Sequence, residues 1–202
     1  ERATIQSSQV KAAMQGNATI THTDTAILSV AAVEAPEVVT SAEFDERLMP
    51  VYERLGTQPG LLENLAGIKE RRWWPEGFTF TDAAVAAGRK ALDAAQIVPD
   101  QIGLLVDTSV CRDRLEPSAA VTVHQELGLP SSCINFDLAN ACLGFMNGVQ
   151  LAGVMIDSGQ IDYALIVDGE GSRHTQQQTL ERLSGEDTTM DDLFLEFATL
   201  TL

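Results

Sequence analysis

The stretch NFDLANACLGFMNG, residues 135–148, sets a cysteine between an apolar extended run and a run of small residues with helical spacing. A thiol at the start of a helix meets unpaired backbone N–H groups and the positive end of the macrodipole, and both favour thiolate over thiol. Cys142 is therefore a candidate nucleophile, flanked by Ala141, Gly144 and Gly148, which are small enough for an acyl chain or a second strand to pass close by. Position alone leaves a plainer reading open, because free cysteine is among the residue types most often buried as a small hydrophobe. Cys111 and Cys133 form no CxxC pair with it or with each other. Neither a disulfide framework nor a zinc site of ordinary spacing is indicated, and no metal is expected. His22 lies in a polar N-terminal stretch, His124 in a helical run and His174 in a polar loop, each without a partner that would mark it as catalytic. Asp168, Glu170 and Arg173 follow a strand end, where sites on α/β sheets gather, but their types do not reveal a role.

These groups must be held by elements that alternate along the chain. AILSVAAVEAP (26–36) reads as a buried strand stopped by Pro36, after a polar segment, 1–24, read as a flexible arm. TSAEFDERLMPVYERLG follows as a helix with Thr40 or Ser41 as N-cap, Gly56 ending it, and Pro50 expected to kink or split it. AGIKERRWWPEGF (66–78) shows no clear period and reads as a structured loop. TDAAVAAGRKALDAAQI is the strongest helical pattern, and QIGLLVDTSV is an apolar run of strand length. SAAVTVHQELGLP then reads as a helix opened by Ser118 and closed by Gly128 and Pro130. A strand at CINFDLAN, the helix after Cys142 and a strand at DYALIVDGEG complete an order that predicts an α/β sheet with helices on its faces. The acidic tail from Thr179 reads as partly helical and solvated.

Composition narrows the function classes. At 202 residues and 45% hydrophobic content the chain can bury a sizeable core. A net charge of −16 repels phosphate backbones and anionic membrane surfaces, so no nucleic-acid partner is expected. No apolar run approaches the roughly twenty residues of a membrane helix, and the unpaired cysteines suit a reducing cytoplasm.

Several separated blocks resemble, in order, one known family. NFDLANACLGFMNGVQLA, with LLVDTSVCRDRLEPSAA ahead of it and IDYALIVDGEGS behind, is similar to the thiolase superfamily, within it the type III ketoacyl synthases and their acyl-CoA condensing branch in olefin synthesis. RLGTQPGLLENLAGIKERR and TLERLSGEDTT extend the match from about Ala26 to the end. The resemblance implies a thiolase-like fold, of which residues 25–202 form the N-terminal half, a mixed five-stranded sheet with helices on both faces. It implies Cys142 as the acyl-accepting nucleophile. It also implies that Glu116, in the LEPS block, crosses a dimer interface to act as base in the partner's site; without it, Glu116 reads as an exposed loop carboxylate. Arg72, Trp73 and Trp74 match the segment that holds the nucleotide end of coenzyme A, against a plain reading as packed tryptophans beside surface arginines. Phe145 either borders an acyl tunnel or belongs to the core.

The implied reaction is a non-decarboxylative Claisen condensation of two fatty acyl-CoA thioesters through an acyl-cysteine, giving a 2-alkyl-3-ketoacid. Coenzyme A enters as part of the substrate and no separate cofactor is called for. The alternatives are a decarboxylative ketoacyl-ACP synthase III-like enzyme, or a non-catalytic half-subunit. The family's catalytic His and Asn come from the second half of the fold, and His22, His124 and His174 match neither position. A C-terminal half, in the same or a second polypeptide, is thus an expected partner, within a homodimer or heteromer.

Overall fold

The computed structural model describes residues 19–202. The expected arm at 1–24 lies mostly outside them; of its last residues, Thr23 and Asp24 donate their backbone N–H groups to Asp157. The chain then forms β1 (Glu37–Thr40), α1 (Ser41–Leu55), α2 (Leu61–Ala66), β2 (Glu70–Trp73), α3 (Phe80–Ala95), β3 (Ile102–Asp107), α4 (Ala119–Leu127), β4 (Ile134–Asp137), α5 (Gly144–Asp157), β5 (Tyr163–Val167), α6 (Arg173–Leu183) and α7 (Met190–Leu200).

The centre is a parallel sheet in the order β4-β3-β5. β3 is apolar almost throughout because it is covered on both faces, and its alternation divides the core in two. Leu105 points to one side with Val123 and Leu127 of α4 and Ala84 and Leu92 of α3, while Leu104 and Val106 pack with Ala152 of α5 on the other. A third cluster joins Phe44, Leu48 and Val51 of α1, at helical spacing, to Trp73, Leu180, Leu183 and Leu193. Capping boxes start the helices that the sequence marks most clearly: Thr40 with Glu43 for α1, and Thr79 with Asp82 for α3.

Four expectations change. The five strands do not form one mixed sheet among the described residues; three are parallel, and β1 and β2 make a separate antiparallel pair. Residues 26–36 form no ladder, and Ile27, Leu28 and Val30 are 70%, 59% and 80% exposed. A strand apolar on both faces needs cover on both, and among the described residues Ile27, Leu28 and Val30 have none. The segment is held instead by Ser29 Oγ donating to the Ala91 carbonyl at 2.8 Å and by Lys90 Nζ donating to that of Ala32 at 2.7 Å. The expected loop at 66–78 contains β2, whose alternation puts Arg71 and Trp73 inward. An inward arginine hides a strand from any apolar pattern. Pro50 does not split α1, since it sits on the exposed side, where water can take the carbonyl it leaves unbonded.

Candidate active site

Cys142 is the exposed cysteine of the three. Burial pushes the Cys111 thiol up to about 11, helped by the carboxylate of Glu170, and also raises Cys133. The turn that presents Cys142 leaves β4 at Asp137, places Ala141 in the left-handed region at φ 43°, and passes through a single 3₁₀ turn, Ala141–Leu143, into α5. Cys142 thus stands just ahead of the helix rather than inside it. No side chain caps α5; the Gly144 N–H closes the 3₁₀ turn on the Ala141 carbonyl, and the positive end of the helix begins two residues after Cys142, where it favours a developing negative charge. A left-handed alanine costs on the order of 1–3 kcal/mol and persists only where its surroundings impose it.

Two glycines impose it. A Cβ at Gly144 would stand 3.1 Å from the Thr108 carbonyl oxygen and 3.2 Å from that of Leu138, and one at Gly148 would stand 3.1 Å from Thr108 Cγ2 and 3.2 Å from Ile166 Cγ2. The helix therefore lies directly on the carboxyl ends of β3 and β5. Asn140 Nδ2 donates to Asn147 Oδ1 at 2.6 Å and ties the turn to the second turn of α5.

Glu116 is exposed in the loop between β3 and α4. That loop is pinned at several points that the sequence did not reveal. Glu170 accepts from the backbone N–H groups of Val110 and Cys111 at 2.5 and 3.1 Å. Asp113 accepts from the N–H groups of Phe80 and Thr81 and from Thr81 Oγ1 at 2.9 Å, filling the first turn of α3. Arg112 pairs with Asp137 at 2.7 Å. The available signal was a polar residue ending each apolar strand, Asp107, Asp137 and Asp168, in the position where α/β sheets collect functional groups. Burial, then Glu170 and Asp107, push the Asp168 carboxyl up to about 6, and burial raises Asp107 as well.

The residues assigned to coenzyme A separate. Trp73 is buried, tilted on Phe44 with ring centroids 5.9 Å apart, and its Nε1 donates to Gln176 at 2.7 Å. That buried face has no room for adenine, so Trp73 is a core residue. Arg72 is exposed, 3.9 Å from Glu34. Trp74 is half-buried, stacked on Phe78 at 4.5 Å, with its Nε1 donating to the Glu170 carbonyl at 2.9 Å. Phe145, 37% exposed in the first turn of α5, lines a largely apolar cleft of roughly 680 Å³ between residues 24–33, α3, α5 and β5. His22 Nδ1 donates to the Asp157 carboxylate at 3.1 Å, and His124 meets the Pro130 carbonyl at 3.0 Å.

A cysteine turn seated by glycines on the carboxyl edge of a parallel sheet, with helices on both faces, defines a thiolase-like α/β unit, and solved structures share it. Xanthomonas campestris OleA, as a histidine-to-alanine variant, superposes with a TM-score of 0.84 at 46% identity over 86% of this chain and 51% of that one. A 3-oxoacyl-(acyl carrier protein) synthase III from Xanthomonas oryzae gives 0.84 at 47% identity over 86% and 52%. Within that class the chain belongs to the thiolase superfamily's ketoacyl synthase III-like family, and the 3-oxoacyl-[acyl-carrier-protein (ACP)] synthase III family matches residues 136–180, the segment around Cys142. The acyl-CoA:acyl-CoA alkyltransferase of Xanthomonas campestris is 47% identical over 87% of this chain, and that of Shewanella oneidensis 37% identical over 87%. A β-ketoacyl-[acyl-carrier-protein] synthase III of Rhizorhabdus wittichii is 36% identical over 52%. The chain spans about half the length of the curated relatives it matches, 52% and 50% of the two alkyltransferases.

Proposed function

We propose that this chain is the nucleophile-bearing half of an acyl-CoA condensing enzyme. The observation that carries the reading is Cys142 itself, an exposed thiol on a left-handed turn before an uncapped helix. Its thiolate attacks the thioester carbon of a fatty acyl-CoA, coenzyme A leaves as a thiol, and the acyl group stays on sulfur. Backbone N–H groups at the turn receive the oxyanion of the tetrahedral intermediate. Glu116 of a partner subunit then removes a proton from the carbon next to the carbonyl of a second acyl-CoA, and that carbon displaces Cys142 to give a 2-alkyl-3-ketoacid thioester. The chemistry needs no metal or redox group. A cysteine-to-serine variant of Xanthomonas campestris OleA is known with bound lauric acid and lauroyl-CoA, which supports long-chain acyl thioesters as the substrate class.

The exposed apolar residues Leu143 of the 3₁₀ turn and Met146 and Val154 of α5 are proposed to lie under a C-terminal half of the fold that supplies the catalytic His and Asn. Arg72 and Trp74 are proposed to meet the nucleotide end of coenzyme A, and the cleft beside Phe145 an alkyl chain. Reactive thiol and acyl-CoA both suit a reducing cytoplasm.

Incubation with a long-chain acyl-CoA followed by intact-protein mass spectrometry tests the nucleophile: wild type gains one acyl mass and Cys142→Ala gains none. Acylation of Cys142→Ala would sink the assignment. The match of residues 136–180 to 3-oxoacyl-ACP synthase III favours a second reading, decarboxylative condensation with malonyl-ACP, in which Glu116 is dispensable. Glu116→Ala separates the two, since in the first reading it leaves acylation intact and cuts condensation to a small residual rate, and in the second it leaves both intact.

A further inference from the structure

Glu116 is useful as a base only if an exposed loop delivers its carboxylate to one place. The loop is bracketed by a single acidic side chain. Asp137 Oδ2 accepts from Arg112 Nη1 at 2.7 Å, four residues before Glu116, and from the Ala119 N–H at 3.0 Å, three residues after it. Asp137 Oδ1 accepts from the Ala120 N–H at 2.9 Å. The carboxylate thereby fills the first turn of α4, whose own N-cap Ser118 makes no side-chain bond, and anchors the loop's two ends together.

Asp137 is also the last residue of β4, in register with Asp107 of β3, and the chain leaves it for the Cys142 turn five residues on. Leu138 N–H donates to the Asp107 carbonyl at 2.8 Å and fixes that departure. One buried carboxylate therefore references both the base-bearing loop and the nucleophile-bearing turn to the same sheet edge.

We infer that the Arg112–Asp137 pair is a positioning device for Glu116, setting where its carboxylate stands while leaving the Cys142 turn to act alone in acylation. The inference rests on the proposed role of Glu116. Arg112 keeps 24% of its side chain exposed and Asp137 only 7%; without Arg112 the carboxylate still accepts from the Ala119 and Ala120 N–H groups, so α4 keeps its cap while the Arg112 end of the loop is released. Arg112 touches no reacting atom in this scheme; it acts through the loop.

The test uses the full-length protein with its remaining half. Arg112→Ala is expected to acylate Cys142 at the wild-type rate below its thermal midpoint, while condensation slows by roughly 10- to 100-fold, the usual loss for a misplaced group. Arg112→Lys restores part of the rate, as a point charge replacing a fork. The double variant Arg112→Ala with Glu116→Ala condenses no more slowly than Glu116→Ala alone, because both remove one function. Condensation by Arg112→Ala at the wild-type rate, a further multiplicative loss in the double variant, or parallel loss of acylation overturns the inference. If Glu116→Ala itself condenses normally, the reading of Glu116 fails, and that result is distinct from a failure of Arg112 alone.

Discussion

At the scale of single residues, the carboxyl edge of the sheet concentrates groups in strained or costly states. Ala141 holds a positive φ beside the thiol, and Asp168 keeps a carboxyl whose Oδ1 is buried without a hydrogen-bond partner among the described residues. Asp168 titrates near 6 because burial and the neighbouring Glu170 and Asp107 disfavour its charge. The folded value is raised above the unfolded one, so the folded state binds more protons between the two. The group's contribution to stability is full below about 4 and is lost as pH rises through about 6. Asp168→Asn, neutral throughout, should match wild type near pH 4, become the more stable protein as pH rises from about 4 to about 6, and keep a level advantage above that. Thermal melts across that range check it, and a gap that stays constant with pH would contradict the assignment.

At the scale of elements, the seating of α5 decides where the nucleophile stands. Gly148 lets the helix sit close on Thr108 and Ile166; a Cβ there would stand 3.1 and 3.2 Å from their methyl groups, so a branched side chain crowds both. Gly148→Val should cost about 1–3 kcal/mol through overpacking. By moving the turn off the ends of β3 and β5, it should also slow acylation of Cys142 more than the stability loss accounts for. Urea melts and acylation kinetics on the same variant separate the effects; normal acylation in a destabilised protein would show that the turn is held by other contacts. The strand at β2 and the unbroken α1 carry a related lesson. Each contradicts a local rule through one residue, Arg71 or Pro50, whose cost depends on which way it faces. Arg71 faces inward, its guanidinium 4.2 Å from the centre of the Phe44 ring and bonded to Ser41 Oγ at 2.9 Å. Pro50 faces outward.

At the scale of the molecule, the described residues bury three clusters yet leave the Cys142 turn and α5 apolar on their outer side, with Leu143 62% and Met146 61% exposed. No helix among the described residues is long and apolar enough to cross a membrane, so bilayer-spanning helices do not account for that surface. If a second half covers it, Met146→Glu in the full-length protein buries an unpaired carboxylate at a cost of several kcal/mol and lowers the thermal midpoint sharply, whereas in the 202-residue chain the change is nearly silent. Equal effects in both would argue against a cover. The residues by themselves determined a good deal: helices from their apolar spacing and from Thr40 or Ser41 and Ser118 at their starts, strands from apolar runs, and the family from ordered blocks around Cys142 and Glu116. These are local signals, read from neighbours along the chain. Only the tertiary structure decided that Trp73 is core, that residues 26–36 lack a ladder, and that Asp137 joins the loop of Glu116 to the strand of Cys142. Those facts depend on groups brought together across long stretches of sequence, and burial and hydrogen bonding are properties of the partner as much as of the residue.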